Sequence, residues 1–392
     1  FFLYTILYFL YLCSKNHVPL YNMKILYFSQ VFAVWGGFER VWTDKMNALS
    51  EIPGNEICLV TTDQGGHKVP YALDKKVRHI DLDVHFGQQY QHKGMKRFWV
   101  YQKLLRLFKR KMRVLLEVES PDVLVSNASE FVDYIVKCKG KVPLVVESHG
   151  TFNRPFHMQE MTFANRIKGY FHHKALKKAD HIVALTHGDA EQWKQVNQNV
   201  SIISNIVTMN NTGIYSDCEA KRVIFVGRMD PQKGYQYLDA IWRIVEKRHP
   251  DWRLDIYGEG ANLPKNRAMI PQGKQVYPHP QTIDVLDKYK ESSILVLTSV
   301  YEPFGLVIPE AMSCGIPVVA FDCPYGPPEI ITDGKDGFLI DCYDVEAFAD
   351  KLCLLIDNEA LRRQMGQNAI LSSQRFSRDK IIPQWNSFFR SI

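Results

Sequence analysis

The chain has 392 residues, of which 46% are hydrophobic and 23% charged, and its formal net charge is +6 at pH 7. This length supports two or three domains with substantial cores, and the composition excludes a largely disordered chain, a disulfide-stapled miniprotein and a polytopic membrane protein. The eight cysteines contain no CxxC pair, which argues against a zinc ribbon or a dense disulfide framework and favours a reducing cytoplasm.

The first 13 residues, Phe1 to Cys13, are almost entirely apolar, and the sequence does not begin with methionine. Thirteen residues are fewer than the ~20 that a spanning helix needs, and no basic region precedes them as in a secretory signal. We interpret residues 1–22 as an extension upstream of a start at Met23. A weak membrane anchor is the alternative interpretation.

Strand-like and helix-like segments alternate through the first half of the sequence. A glycine-bearing loop with Gly36 and Gly37 follows the first strand, and a helix is predicted after it; another helix is predicted over Arg166 to Lys178. Apolar runs without polar alternation are typical of parallel strands covered on both faces. The predicted strands are Lys24 to Ser29, Glu56 to Thr61, Val123 to Ser126, Leu144 to Glu147 and His181 to Leu185.

The first half is basic. Met23 to Met209 carry 26 Lys and Arg against 18 Asp and Glu, and eight of the basic residues lie between Lys96 and Arg113, interleaved with aromatic residues and leucines. This pattern predicts a basic amphipathic helix. Such a helix can lie on anionic lipid, or it can cover a core with its charges in solvent. A nucleic-acid binder is a third reading, disfavoured by the mildly acidic second half and the absence of a nucleic-acid module.

The second half repeats this alternation of strands and helices, with clearer turn signals between the segments. A loop is predicted over Ser299 to Leu306, a helix over Val307 to Ser313, and a final helix over Ser377 to Arg390. A polar segment from Asn205 to Ser216 separates two Rossmann-like halves. The predicted strands are Arg222 to Val226, Trp252 to Tyr257, Ile294 to Thr298 and Pro317 to Phe321.

Two cations follow the strand that ends before Gly227. Arg228 comes directly after this glycine and Lys233 five residues later. The carboxyl edge of an open parallel sheet is where such folds bind ligands. The planar fork of arginine and the point charge of lysine together suit a diphosphate. An ordinary charged surface loop is the alternative.

Two carboxylates flank the next loop, with Glu302 on the loop and Glu310 in the first turn of the predicted helix. Backbone N–H groups after Gly305 and the helix dipole favour a phosphate at this opening. A carboxylate at the position of Glu310 can accept hydrogen bonds from a ribose diol, and the Glu302 carboxylate can accept a hydrogen bond from a hydroxyl of the donor sugar. Alternatively, Glu310 only complements the dipole of its helix.

Taken together, these motifs resemble the donor-binding half of family 4 glycosyltransferases of the GT-B fold. The resemblance is carried by the order and spacing of Gly227-Arg228, Lys233-Gly234, Glu302, Phe304-Gly305, Glu310-Ala311-Met312, Gly315 and Pro317-Val318-Val319. It implies an α/β fold with two Rossmann-like parallel-sheet domains facing a central cleft. The implied domains are an acceptor domain over 23–208, a nucleotide-sugar domain over 209–374, and a helix over 375–392 that crosses back to the first domain.

The resemblance also implies roles for individual residues. Gly36-Gly37 with Glu39-Arg40 is similar to the family's loop after the first strand, and His149 follows a strand end where relatives place a histidine near the donor sugar. A structural role is the alternative for this histidine. The implied catalytic residues are His149, Arg228, Lys233 and Glu302. The implied donor-binding residues are Gly36, Gly37, Gly227, Gly258, Phe304, Gly305, Leu306 and Glu310.

Such an enzyme moves a hexose or N-acetylhexosamine from a nucleotide-diphosphate sugar to a glycan or lipid-linked acceptor, with retention, in surface polysaccharide, lipopolysaccharide or capsule synthesis. We expect UDP before GDP, although the segment Gln275 to Pro280 departs from the family pattern near the base. A nucleotide-sugar epimerase or a phosphorylase of the same fold is the alternative. Each would use the same two-domain architecture.

We expect no cofactor, no metal and no nucleic-acid partner. The Asp81-Leu82-Asp83 string, which other glycosyltransferases use for a metal, sits in a stretch from Arg78 to Val84 that alternates like a half-exposed strand. The expected location is the cytoplasm, at the inner face of the plasma membrane, with peripheral contact to anionic lipid through Lys96 to Arg113.

Overall fold

The computed structural model describes residues 22–128, 131–150, 152, 163–258 and 269–392. Residues 1–21 of the predicted extension, and Glu259 and Gly260 of the loop after the strand at 252–257, lie outside this part of the chain. The chain divides into two compact units. The first comprises residues up to Val146 together with Asn386–Ile392, and the second comprises Glu147–Trp385.

Seven parallel strands form the first sheet, in the order β3-β2-β1-β4-β5-β6-β7. The central strands are buried on both faces, because every residue of β4 and β5 is buried. The strands are β1 (Met23–Phe28), β2 (Asn55–Thr61), β3 (Arg78–Asp81), β4 (Val123–Asn127), β5 (Leu144–Glu147), β6 (His181–Ala184) and β7 (Val200–Ile202). The helices along this half are α1 (Gly37–Ser50), α2 (Gly94–Glu119), α3 (Val132–Ile135), α4 (Phe163–Leu176) and α5 (His187–Trp193).

Six parallel strands form the second sheet, in the order β10-β9-β8-β11-β12-β13. They are β8 (Arg222–Val226), β9 (Arg253–Tyr257), β10 (Val276–His279), β11 (Ile294–Leu297), β12 (Val318–Phe321) and β13 (Gly337–Ile340). The helices are α6 (Tyr235–Arg248), α7 (Val285–Lys290), α8 (Val307–Ser313), α9 (Gly326–Ile330), α10 (Val345–Asp357), α11 (Glu359–Ser373) and α12 (Arg378–Ser391).

Helices cover both faces of the second sheet. Val223 and Phe225 of β8 belong to a core with Trp242 of α6, whereas Ile224, between them, packs with Ile308 and the rest of α8. Successive residues of a strand point to opposite faces, so an unbroken apolar run is what a doubly covered strand requires. This confirms the predicted α/β architecture with two parallel sheets.

The predicted basic helix is confirmed, and it extends over the 26 residues of α2. Its apolar face is buried from Leu104 onward, through Leu105, Phe108, Met112, Leu115 and Leu116. Over this length the helix therefore covers a core, which was one of the two interpretations left open. None of the helices within the described ranges is both long and apolar enough to cross a bilayer.

The predicted C-terminal helix is α12, and its last turns belong to the first unit. There Arg390 donates from Nη2 to Oδ1 of Asn55 at 3.4 Å, and Asn55 donates to Oδ1 of Asn386 at 3.4 Å. The end of the chain thus packs beside the start of β2.

Candidate active site

A buried ion pair lies at the carboxyl edge of the second sheet. Lys233 ends a 3-10 turn after β8, and its Nζ is 2.5 Å from Oε2 of Glu302 on the loop after β11. Only 14% of the lysine side chain and 9% of the glutamate side chain are exposed. Ser299 donates a further hydrogen bond to the same carboxylate oxygen at 3.2 Å. Two of the four predicted catalytic residues are thus in direct contact.

Close backbone contacts hold the two loops of this pair together. Val300 N donates to Gln232 O at 2.9 Å, and Oγ1 of Thr298 donates to Lys233 O at 2.9 Å. Gly234 has a φ of +66°, and a Cβ added to it would lie 1.9 Å from Thr298 O. Only glycine fits this position, which explains the Lys-Gly pair in the sequence.

Gly227 and Gly258 touch at the ends of β8 and β9. Gly227 N donates to Tyr257 O at 2.9 Å, and a Cβ on Gly258 would lie 1.9 Å from Gly227 O. The hydroxyl of Tyr235 donates to this same Gly227 oxygen at 3.1 Å. Gly258 is therefore required for close packing of the backbone, whereas a Cβ on Gly227 would meet only side-chain atoms, of Phe225 at 3.3 Å and of Lys233 at 3.5 Å.

Arg228, the second predicted cation, differs from Lys233. Its side chain is exposed and makes no hydrogen bond or ion pair with the described residues. Lys233 is positioned by Glu302, whereas the guanidinium of Arg228 extends into solvent from the same loop. The diphosphate role of Arg228 stays a prediction.

Backbone hydrogen bonds attach the loop from Glu302 to Leu306 to the segment around Gly326. Glu302 N donates to Pro324 O at 2.7 Å, and Gly326 N donates to Glu302 O at 2.8 Å. Gly305, with a φ of +88°, makes the turn into α8. The side chain of Phe304, predicted among the donor-binding residues, instead packs edge-on against Phe376 in the core, which leaves only its backbone for a donor.

Glu310 lies on α8 as predicted, with 5% of the residue exposed. The hydroxyl of Tyr289 donates to its Oε2 at 3.5 Å, and its own N donates to O of Leu306 in the first helical turn. A buried carboxylate at this place fits both a ribose contact and complementarity to the helix dipole. Leu306, half-buried, precedes the helix.

His149 follows the end of β5 and is paired with Glu147. Its Nε2 lies 2.8 Å from Oε2 of Glu147, and the two side chains are 7% and 1% exposed. The adjacent buried carboxylate orients the imidazole ring. The contact gives the predicted histidine a defined orientation, and its role toward a donor stays a prediction.

A buried aspartate that the sequence does not reveal anchors the loop bearing His149. Asp189 of α5 accepts hydrogen bonds from Ser148 Oγ at 2.8 Å, Phe152 N at 2.9 Å and Trp193 Nε1 at 2.8 Å. Burial raises the pKa of the Asp189 carboxyl, and the hydrogen bonds from Phe152 and Ser148 oppose that rise. In the sequence, Thr186 and Asp189 match a helix N-terminal capping pattern, so nothing local reveals the contact with the loop.

Gly36 and Gly37 lie in the first unit, at the start of α1. Gly36 is the N-cap residue, and a Cβ added to it would lie 2.7 Å from Oε2 of Glu39. Glu39, which is 7% exposed, lies in the first turn of α1, where a carboxylate complements the helix dipole. The predicted loop and helix are present.

In the Asp81-Leu82-Asp83 string, the Asp81 carboxylate accepts hydrogen bonds from nearby backbone N–H groups. Asp81 ends β3, and its carboxylate accepts hydrogen bonds from Gly65 N at 3.1 Å and Asp83 N at 3.3 Å. Burial alone would raise the pKa of Asp81, yet these hydrogen bonds lower it. Across the described ranges, no group of three or more His, Cys, Asp or Glu side chains is placed to share a metal ion.

Two family models match the chain in succession. Residues 35–211 match Glycosyltransferase Family 4, and residues 213–372 match Glycosyl transferases group 1. The chain therefore belongs to the family 4 (group 1) glycosyltransferases, with one model matching each half. The enzyme is therefore a glycosyltransferase with a GT-B fold, as its solved structural neighbours also indicate.

Individual relatives agree with this family. An uncharacterized glycosyltransferase of Haemophilus influenzae is 28% identical over 368 residues, which cover 92% of this chain and 98% of that protein. A poly(ribitol-phosphate) alpha-N-acetylglucosaminyltransferase of Staphylococcus aureus is 32% identical over 232 residues, covering 58% of this chain and 45% of that protein.

Among solved structures, TarM superposes with a TM-score of 0.76 at 17% identity, covering 95% of this chain and all of the TarM chain. The Anabaena protein Alr3699/HepE, solved with UDP-glucose, superposes with a TM-score of 0.70 at 19% identity, covering 94% of this chain and all of that one. At these identities the similarity shows the fold.

Proposed function

We propose that this glycosyltransferase transfers a hexose or N-acetylhexosamine from a nucleotide-diphosphate sugar, UDP before GDP, to a hydroxyl of a glycan or lipid-linked acceptor. The observation that carries the proposal is the Lys233–Glu302 pair at the carboxyl edge of β8 and β11. A lysine ammonium has three donors. One is used by Glu302, so the others are available to a diphosphate that binds beside the pair.

The chemistry of the reaction requires cations at this place. Breaking the bond between sugar and diphosphate develops negative charge on the leaving diphosphate, and groups that match this charge lower the barrier. Lys233 supplies a cation fixed by Glu302, and Arg228 supplies an exposed one on the same loop. In our proposal, the backbone after Gly305 contributes further donors, and Glu310 accepts from the ribose.

Glu302 is a poor candidate for a covalent nucleophile, because it is ion-paired with Lys233 and accepts from Ser299. Glu310 accepts from Tyr289 inside the core. We therefore propose retention without a protein nucleophile: the acceptor hydroxyl attacks from the face that the diphosphate leaves, and the leaving phosphate oxygen takes the hydroxyl proton. No step in this scheme uses a metal.

The comparisons support the choice of donor and acceptor. A structural neighbour was solved with UDP-glucose, and relatives are named for the transfer of N-acetylglucosamine to poly(ribitol-phosphate) and of glucose to poly(glycerol-phosphate). Another is named for amylovoran biosynthesis. We propose a role in surface polysaccharide synthesis at the cytoplasmic face of the plasma membrane.

A donor screen tests the proposal without knowledge of the acceptor. Purified enzyme is tested against UDP- and GDP-sugars by thermal shift and slow hydrolysis, with and without excess chelator. We expect one nucleotide sugar to stabilise the enzyme and to be hydrolysed in both conditions. Product analysis separates transfer from epimerisation, because an epimerase converts the donor without releasing UDP.

Two variants test the site itself. Arg228→Ala should lower kcat/KM by more than about tenfold without a loss of thermal stability, because the side chain is exposed. Glu310→Ala should chiefly weaken nucleotide binding. A kcat/KM of Arg228→Ala within twofold of wild type contradicts the diphosphate assignment.

A further inference from the structure

The first turns of α2 are not packed against the first unit. Every residue from Lys93 to Trp99 is exposed, and the first buried residue of the helix is Leu104. The buried face of α2 therefore begins about three turns after the helix does. We call a group of residues at the start of α2 and just before it the aromatic-basic end of α2: Tyr90, Lys93, Met95, Lys96, Arg97, Phe98 and Trp99.

Four large apolar side chains cluster in this short segment. The exposed fractions are 69% for Tyr90, 73% for Met95, 52% for Phe98 and 58% for Trp99. The rings of Phe98 and Trp99 lie 5.6 Å apart, and the guanidinium of Arg97 lies 4.6 Å from the centre of the Tyr90 ring. Single exposed apolar residues are ordinary on protein surfaces, whereas a contiguous group indicates an interaction site.

Along the sequence, the charged residues around this group have one sign. From Val84 to Leu116 the sequence contains nine Lys and Arg and no Asp or Glu. A solvated helix surface ordinarily mixes both signs. A stretch of 33 residues with cations alone is therefore complementary to an anionic surface.

We propose that the aromatic-basic end of α2 inserts into the interfacial region of an anionic lipid bilayer. Aromatic side chains favour the level of the lipid headgroups, and Lys and Arg are attracted by anionic lipid. A soluble polyanion would explain the cations but not the exposed Met95 and Phe98. The inference rests on the proposed function, and it narrows the predicted lipid contact, because the apolar side chains from Leu104 to Leu116 are buried and unavailable to lipid.

Vesicle binding by the full chain tests the proposal, with phosphatidylglycerol and phosphatidylcholine vesicles compared at about 50 mM salt, where screening is weak. We expect wild type to bind phosphatidylglycerol vesicles preferentially. Phe98→Ser/Trp99→Ser should weaken this binding by roughly tenfold or more, since two apolar side chains no longer leave water. Lys96→Glu/Arg97→Glu should weaken it by roughly tenfold, with a smaller dependence on salt.

Matched controls lie on the same unit. Val114 and Val118 are exposed on the far part of α2, at 53% and 75%, so Val114→Ser/Val118→Ser should leave binding unchanged. Lys75→Glu/Lys76→Glu makes the same charge change at two exposed lysines elsewhere and should have a much smaller effect. Quenching by phosphatidylglycerol with brominated acyl chains should reach Trp99, so Trp99→Phe should lose part of the quenching.

Three results would overturn the proposal. They are no binding of wild type to phosphatidylglycerol vesicles, unchanged binding of Phe98→Ser/Trp99→Ser, and a wild-type dimer in solution that this variant abolishes, which would make the patch a protein interface. Hydrolysis of the nucleotide sugar in vesicle-free solution should be equal in wild type and this variant. If neither protein hydrolysed the nucleotide sugar, the proposed function would be contradicted, but the vesicle-binding measurement would still test the lipid contact.

Discussion

The loops after β1 and after β8 occupy equivalent positions, since β1 lies between β2 and β4 and β8 lies between β9 and β11. Both contain glycines and both lead into a 14-residue helix, α1 or α6. In the second sheet, the glycines at 234 and 258 face carbonyl oxygens at distances that no side chain tolerates. In the first, a Cβ on Gly36 would meet only side-chain atoms, of Glu39 at 2.7 Å and of Val34 at 3.8 Å.

The exposed side chains of the two loops differ in chemistry. Val34 and Trp35 of the first loop are apolar and are 58% and 52% exposed, whereas the second loop exposes Arg228 and holds the Lys233 side chain, 14% exposed, against Glu302. The first loop thus constrains Gly36 less than the second loop constrains Gly234, because only side-chain atoms surround Gly36. The second loop is specified by its backbone contacts, which is why its motif was recognisable from the sequence.

The largest expected effect comes from filling the tight glycine positions. Gly234→Ala places a Cβ 1.9 Å from Thr298 O at a φ of +66°, and should destabilise the second unit by more than about 3 kcal/mol or prevent its folding. Gly66→Ala in the first unit meets no atom within 4 Å and should change stability by less than about 0.5 kcal/mol. Urea unfolding followed by circular dichroism measures both. Equal effects would refute the backbone constraint assigned to Gly234, because Gly66, on the loop after β2, has open space around it.

The buried ion pair should give the next largest effect. Lys233→Met leaves the Glu302 carboxylate buried without its cation, and should destabilise the enzyme by about 3 kcal/mol as well as reduce donor hydrolysis by at least about 100-fold. Lys233→Met/Glu302→Gln should recover most of the stability and none of the activity. Thermal unfolding and hydrolysis rates separate these two outcomes, and recovered activity in the double variant would remove Lys233 from the proposed mechanism.

A smaller effect is expected at Asp189 of α5, which positions the loop that bears His149. Asp189→Asn keeps one acceptor oxygen but replaces the other with a donor, which cannot accept from Ser148 and Trp193. The loop bearing His149 should shift, and kcat for transfer should fall about tenfold with little change in donor affinity. Ser201→Ala, on the next strand β7, serves as a control, and a change in donor affinity alone would contradict the positioning role.

The smallest effect concerns the first unit and depends on pH. Hydrogen bonds from Arg78 at 2.5 Å and Lys24 at 2.6 Å lower the pKa of Glu119 from an ordinary value of 4.5 to about 2. The folded state therefore favours the charged carboxylate, so its stabilisation is complete above pH 4.5 and is lost as the pH falls toward 2. Glu119→Gln should cost about 1 kcal/mol at pH 7. The free energies of unfolding of variant and wild type should converge on acidification, and a constant difference would refute this account.

Several elements of the fold followed from the sequence without correction. The bounds of β5, β8 and α8 agree with those predicted, because each is a short apolar run between clear turn signals. Three strands were not predicted. β10 contains Pro278, which only an edge strand tolerates, and β13 begins at Gly337, where a Cβ would lie 2.4 Å from Val318 O. The third, β7, has only three residues.

One strand is shorter than its pattern indicated. The alternation from Arg78 to Val84 predicted a strand over seven residues, whereas β3 ends at Asp81. Asp83 has a φ of +51°, which is incompatible with a strand, and its N–H turns back to the carboxylate of Asp81. A side-chain hydrogen bond of this kind leaves the apolar alternation of the sequence unchanged.

The sequence by itself determined the two parallel sheets, the family and the positions of the glycine-bearing loops, because strand periodicity and backbone conformation are local properties of the chain. Only the tertiary structure decided that Lys233 pairs with Glu302, that Asp189 holds the loop of His149, and which part of α2 is left uncovered. These outcomes depend on groups that folding brings together from distant parts of the chain. A polar side chain carries no local signal of which distant partner will satisfy it once both are buried.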